Sequence, residues 1–219
     1  MTASAVLFDM DGVLVDSEDY WVELERERLL PEVVPDGNVD VREITGMNYR
    51  EIYDYLEANY DVAVSREGFL KRFEETAQEL YHERVSLLEG VHDLLAELEE
   101  ENVARAVVSS SPHDWIDIVL ERFDLEESFD RVISAEEIDG PGKPEPDIFE
   151  YAAEQLGLAP EDCVVVEDSA HGIEAAIRAG TTCIAYDIDA HDGIDYSGTD
   201  AVVTTPAGLR EAVLERVEK

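Results

Sequence analysis

Short runs of continuous apolar residues alternate along this chain with longer segments whose apolar positions recur every three or four residues. The runs are "AVLF" at Ala5–Phe8, "ARAVVS" from Ala104, "RVIS" from Arg131, "CVVVE" from Cys163, "TCIAY" from Thr182 and "DAVVT" from Asp200. A short apolar run without polar alternation reads as a strand buried on both faces. Between most of the runs lie helical patterns: "GVHDLLAELEEEN", "SPHDWIDIVLERFD", "EPDIFEYAAEQLGL" and "DSAHGIEAAIRAG". Gly157 and Gly180 close two of them, as the chemistry of helix C-termini expects. Strands alternating with amphipathic helices predict an α/β fold with a parallel sheet covered on both faces.

The alternation breaks once. From about Ser17 to about Arg84 there is no strand pattern, only helical stretches such as "DYWVELERERLLPE", "NYREIYDYLEANYD" and "SREGFLKRFEETAQELYHER". A helical insertion is therefore expected directly after the first strand. "DIDAHDGIDYSGTD" reads as a polar loop and nothing more.

Composition sharpens this picture. A length of 219 residues fits one domain with a modest insertion, and an apolar fraction of 45% can build a core. Sixteen Lys and Arg against 54 Asp and Glu give a net charge of −38. Such a field repels nucleic acid and anionic membrane surfaces, so neither is an expected partner. The acids are spread along the whole chain, and lysine occurs only at 71, 143 and 219. That balance resembles proteins from salt-rich cytoplasm, where salt screens the self-repulsion. No apolar run approaches the roughly 20 residues of a membrane span, and no signal-peptide pattern opens the chain, so a cytoplasmic location is expected. Cys163 and Cys183 flank apolar runs as small free thiols, and the five His show no metal-ligand spacing.

In open parallel sheets, ligands bind outside the carboxyl ends of the strands. The residues following the predicted strands are Asp9 and Asp11; Ser109, Ser110 and Ser111; Gly142-Lys143-Pro144; and Glu167, Asp168 and Ser169. Asp9 and Asp11, two apart on extended chain, project to one side. Clustered carboxylates need a positive neighbour to stay ionised, and oxygen ligands beside a phosphate suit Mg2+. Ser109, before a helix whose Pro112 suits a first turn, offers an anion site. Lys143 sits in a Gly/Pro-rich loop in a chain nearly stripped of lysine, and it reads as a point charge for a phosphate. Trp21 and Trp115 read as packing residues.

Together, "DMDGVLVDS", Ser109, "GKPEPDIF" and "VVVEDSAHGIEAAIRAG" resemble the four motifs of the haloacid dehalogenase superfamily. More narrowly, they resemble its branch with a helical cap inserted after the first motif, which holds phosphoglycolate phosphatase-like and β-phosphoglucomutase-like enzymes. The resemblance implies a Rossmann-like three-layer core of residues 1–16 and 85–219 with a helical cap of residues 17–84. It implies a Mg2+-dependent phosphatase of phosphoglycolate or a sugar phosphate. Asp9 would be the nucleophile that forms an aspartyl-phosphate, and Asp11 the general acid and base. Mg2+ would lie among Asp9, the Asp11 carbonyl, Glu167 and Asp168, while Ser109, Ser110 and Lys143 hold the phosphate. "TGMNYREI" resembles a substrate-facing cap loop, which nominates Gly46 and Arg50. The implied partner is a small phosphoester, with the chain a monomer or small homo-oligomer. Dehalogenases of the superfamily lack the second Asp, so Asp11 favours phosphate chemistry. Trp21 stands where the mutases tend to carry a His, which weakens the mutase alternative. A signalling receiver domain, the remote alternative, would carry no helical insertion and would place its acceptor Asp on a later strand.

The dispersed acid predicts a salt-dependent fold. The melting temperature should rise steeply from dilute buffer to molar KCl and flatten near about 1 M, where the Debye length is about 3 Å. Equal stability in dilute buffer would show that the surface is not adapted to salt.

Overall fold

A computed structural model describes residues 3–217 apart from 38, 46, 189, 191 and 192. Its centre is one six-stranded, wholly parallel sheet of β1 (Ala5–Phe8), β2 (Ala104–Ser109), β3 (Arg131–Ser134), β4 (Cys163–Glu167), β5 (Thr182–Tyr186) and β6 (Ala201–Val203), in the order β3-β2-β1-β4-β5-β6. All six predicted strands form, and the last shortens to three residues at the edge.

The alternation of side chains explains why the runs had to be apolar throughout. Ala5 and Leu7, with Ala106, Val108, Cys163, Val165, Cys183 and Ala185, face one helical layer. Val6, Phe8, Val107, Val164, Val166, Ile184 and Tyr186 face the other. A strand with helices on both sides has no wet face.

The helices in chain order are α1 (Ser17–Leu24), α2 (Leu30–Val33), α3 (Tyr49–Asn59), α4 (Arg66–Glu79), α5 (Val91–Glu100), α6 (His113–Arg122), α7 (Asp147–Leu156), α8 (Ala170–Ala179) and α9 (Pro206–Val217). α7 and α8 cover one face of the sheet, while α5, α6 and α9 pack on the other. Gly157 and Gly180 end α7 and α8 in left-handed conformation, as expected. α9 was not foreseen, because its apolar residues do not form a well-marked stripe; contact with β5 and β6 supplies what periodicity lacks.

α1 to α4 form the predicted helical insertion, with π-helical turns at Glu25–Leu29 and Leu80–Arg84. Its aromatic residues Trp21, Tyr49, Phe69 and Phe73 pack together and meet Trp115 of α6. None of the helices among the described residues is long and apolar enough to cross a membrane.

The chain runs β1, β2, β3 outward on one side of β1 and then returns to place β4 on the other. That reversal opens a crevice at the carboxyl ends of β1, β2 and β4, the usual ligand position in such sheets.

Leu7, fully buried in the central strand, should cost about 2–5 kcal/mol when replaced by Ala. Val202→Ala on the exposed edge strand should stay within about 0.5 kcal/mol. Urea denaturation of both variants checks the contrast.

Candidate active site

Each strand that ends at the crevice delivers polar side chains to it. β1 continues into Asp9, whose backbone N–H still bonds the carbonyl of Val166, so the carboxylate is fixed by the sheet ladder itself. β2 ends at Ser109, β4 at Glu167 followed by Asp168, and the loop after β3 brings in Lys143. Lys143 is 3% exposed, and its Nζ donates to Asp9 Oδ1 and Glu167 Oε1 at 2.6 Å each and to the carbonyl of Val108 at 3.3 Å.

Asp9, Glu167 and Asp168 are all buried, with carboxylate oxygens within 4.8 Å of one another. Burial raises Asp9 well above the carboxylate range, the Lys143 charge opposes that, and Glu167 and Asp11 add to it. Asp168 is raised by burial and then by the charges of Glu18, Glu167 and Asp9. For Lys143, burial alone would favour the neutral amine, but Asp9 and Glu167 outweigh it and hold the ammonium charged above its usual range.

Glu167 is deeper than the rest. Its Oε1 takes the Lys143 proton donor, and its Oε2 accepts from the Asp168 and Ser169 backbone N–H groups and the Ser169 hydroxyl, at 3.1–3.2 Å. It does not line the cavity, whereas Asp9, Asp11, Ser109, Ser110, Lys143 and Asp168 do. Gly172 makes room for it, since a Cβ there would lie 1.9 Å from Glu167 Oε1.

Asp11 belongs to a separate network. Its Oδ1 accepts from the Ser17 hydroxyl at 2.5 Å and the Tyr81 hydroxyl at 2.6 Å, and its Oδ2 from the Ser111 hydroxyl at 2.9 Å. Trp21 Nε1 in turn donates to the Tyr81 oxygen at 3.1 Å. Burial and then the Glu18 charge raise Asp11 to about 6, against the pull of those three donors.

Sequence reasoning missed Tyr81 and Ser17 and gave Ser111, noted only as following β2, no role toward Asp11, because these contacts depend on how the insertion and the loop after β2 pack. Glu18 and Glu25 also line the cavity. Their signal was present as spacing, since residues 18, 21 and 25 share one face of a helix. Trp21 and Trp115 pack as expected, stacked 6.0 Å apart, and both also wall the cavity.

Arg50 is placed elsewhere. It pairs with Glu136 at 2.8 Å, lies over the Tyr49 ring and lines a separate cleft with Glu51 and Gly142. Gly46 lies outside the described residues.

The model of the haloacid dehalogenase-like hydrolases matches residues 6–186, most of the chain and all of these site residues. The chain belongs to that family. A Thermotoga maritima protein named phosphorylated carbohydrates phosphatase is 34% identical over 176 residues, covering 80% of this chain and 81% of its own. Hexitol phosphatase B of Escherichia coli K12 is 33% identical over 187 residues, covering 80% and 79%. The crystal structure of CbbY from Rhodobacter sphaeroides with phosphate shares the fold, with TM-score 0.77 and 24% identity over 94% of this chain and 96% of that one. As a family member the protein is a hydrolase, and its crevice holds the groups of a phosphoric monoester hydrolase.

Gly12 carries φ +74°, and a Cβ there would lie 1.9 Å from Asp168 Oδ2. Gly12→Ala should therefore cost at least about 1–2 kcal/mol from the left-handed backbone alone, with the Asp168 clash added. Urea denaturation checks the loss.

Proposed function

We propose that this protein is a Mg2+-dependent phosphatase of small phosphorylated carbohydrates that works through an aspartyl-phosphate on Asp9. The observation that carries the reading is the division of labour between two aspartates. Asp9 faces a buried ammonium, while Asp11 is held by hydroxyl donors in a different network. A nucleophile must be ionised, which the Lys143 ammonium favours against the burial that raises Asp9, and an acid–base group must exchange protons, which the hydroxyl network of Asp11 suits.

An Asp9 oxygen attacks phosphorus, the bond to the leaving oxygen breaks, and Asp11 delivers its proton to that oxygen. Asp11 then takes a proton from the water whose oxygen attacks the phospho-aspartate, which frees Asp9 and inorganic phosphate. A value of about 6 leaves Asp11 able to act in both directions near neutrality. Lys143 holds the phosphoryl oxygens and offsets their growing charge. Ser109 and Ser110, before the N-terminus of α6, supply further polar contacts.

The residues fit a divalent cation. Three buried carboxylates share the crevice with a single ammonium, and Gly12 has no side chain where the Asp168 carboxylate enters. Asp9 and Asp168, with the Asp11 carbonyl and Glu167 behind them, would hold Mg2+. When bound, the ion would neutralise carboxylate and phosphoryl charge.

Residues 17–84 would serve as a cap on a core of residues 1–16 and 85–219. The cavity between them is about 70 Å3, below the roughly 300–1,000 Å3 usual for ligand sites. A sugar-sized substrate would thus enter as the cap lifts. The two phosphatase relatives support carbohydrate phosphates over phosphoglycolate.

Wild-type protein should release phosphate from hexitol and hexose phosphates with Mg2+ and lose that activity in EDTA. Asp9→Asn should abolish it, because an amide does not attack phosphorus. Lys143→Ala should raise the barrier by about 2–4 kcal/mol, with Lys71→Ala near wild type, since Lys71 is exposed on α4. Glucose 6-phosphate formed from β-glucose 1-phosphate and trace bisphosphate, without free phosphate, would replace this reading with the mutase.

A further inference from the structure

Glu25 opens the π-helical turn that follows α1, and it is only 6% exposed. Among the described residues its carboxylate has no hydrogen-bond or ion-pair partner. It lines the active-site cavity from the cap side, on the helix face that also carries Glu18 and Trp21. π turns inside helices collect at functional positions because they cost regular hydrogen bonding and re-aim side chains. Burial and the neighbouring Glu18 charge push Glu25 well above the usual carboxylate range, and hydroxyl donors arriving with a ligand favour its ionised, two-acceptor form. A buried acid that the fold leaves unsatisfied costs stability, and its persistence points to a partner that arrives from outside.

The remaining walls indicate what kind of partner. Trp21, Tyr49, Phe73 and Trp115 present aromatic surface, which suits the C–H faces of a carbon chain or sugar ring. Lys143 is the one cation lining the cavity among the described residues, and Asp9 and Glu167 already hold it. The cap arginine closest in sequence to the cavity-lining Tyr49, Arg50, pairs with Glu136 instead. Among the described residues no cation lines the cavity from the cap side, and Glu18 and Glu25 would repel a second anion.

Resting on the phosphatase reading above, we infer that Glu25 is a specificity-determining residue that accepts hydrogen bonds from hydroxyls of an uncharged polyol or sugar leaving group and excludes leaving groups with a second anionic group. A carboxylate has two acceptor oxygens and matches a pair of vicinal hydroxyls, both donating.

The test compares glucitol 6-phosphate with 6-phosphogluconate, which share a six-carbon chain but differ by one carboxylate. p-Nitrophenyl phosphate, with no hydroxyl on its leaving group, is the reference. Wild-type kcat/KM should favour glucitol 6-phosphate over 6-phosphogluconate by at least about tenfold. Glu25→Gln should shrink that preference by about tenfold or more. It should also lower kcat/KM for glucitol 6-phosphate relative to p-nitrophenyl phosphate, mainly through KM. Replacing a buried acid that lacks a partner and lies beside the Glu18 charge should raise the melting temperature of Glu25→Gln by about 2–4 °C, whereas a structural role would lower it. Equal wild-type use of the sugar-acid and sugar-alcohol phosphates, unchanged discrimination in the variant, or a lower melting temperature would each overturn the inference. Asp9-dependent hydrolysis of p-nitrophenyl phosphate would leave the phosphatase reading standing in those cases. Wild-type protein inactive on all three esters would overturn both.

Discussion

The ammonium of Lys143, enclosed between Asp9 and Glu167, is the constraint around which the crevice is built. Buried charges survive only when paired, and removing one partner from such a set typically costs about 3–5 kcal/mol. Satisfying the pairing dictates the surroundings. Glu167 must be anchored from behind, and the first amides of the segment leading into α8 do so. α8 must then come close to β4, which requires Gly172 in its first turn. Asp168 follows Glu167 directly and enters the crevice beside Gly12, where a side chain would collide with it. One cation thus accounts for two glycines, a helix terminus and the position of the acidic cluster.

The helical insertion both lines the crevice and supplies hydrogen-bond donors to it. Ser17 stands at its first residue and Tyr81 in its last turn, and both donate to Asp11. Core and cap are stitched nearby, by Asn48 Nδ2 to the Ser110 carbonyl at 2.6 Å and by His171 Nδ1 against the Thr45 carbonyl at 2.7 Å. Asp11 is therefore held by both ends of the helical insertion. Its proton affinity is a balance, because the three hydroxyl donors favour the ionised form while burial favours the protonated one.

Charge is distributed unevenly in consequence. The surface carries acids at almost every exposed turn, and salt can screen them there. Within the crevice screening is weak, and Asp9, Glu167 and Asp11 are tied to a cation, backbone amides or hydroxyls. Glu25, by contrast, lines the same cavity with none of these ties.

The sheet was legible from the sequence because a doubly covered parallel strand must be apolar on both faces, and six such runs appear as six strands. The order of reactive residues was legible for the same reason, since a strand's carboxyl end is a definite place in the chain. Asp9, Ser109, Lys143 and Asp168 could be picked by position, and the structure brings them to one cavity. α9 was not legible, because its helical state depends on contact with β5 and β6 more than on its own pattern. Nor was the direction of Arg50, which Glu136 of a distant loop decides across 86 residues of chain. The partners of Asp11 and the inward turn of Glu25 likewise depend on how the insertion lies against the sheet edge. Local periodicity determines which faces must be buried; only the packed structure decides which polar groups meet, because their partners are far apart in the chain and are chosen by geometry after the apolar faces have docked.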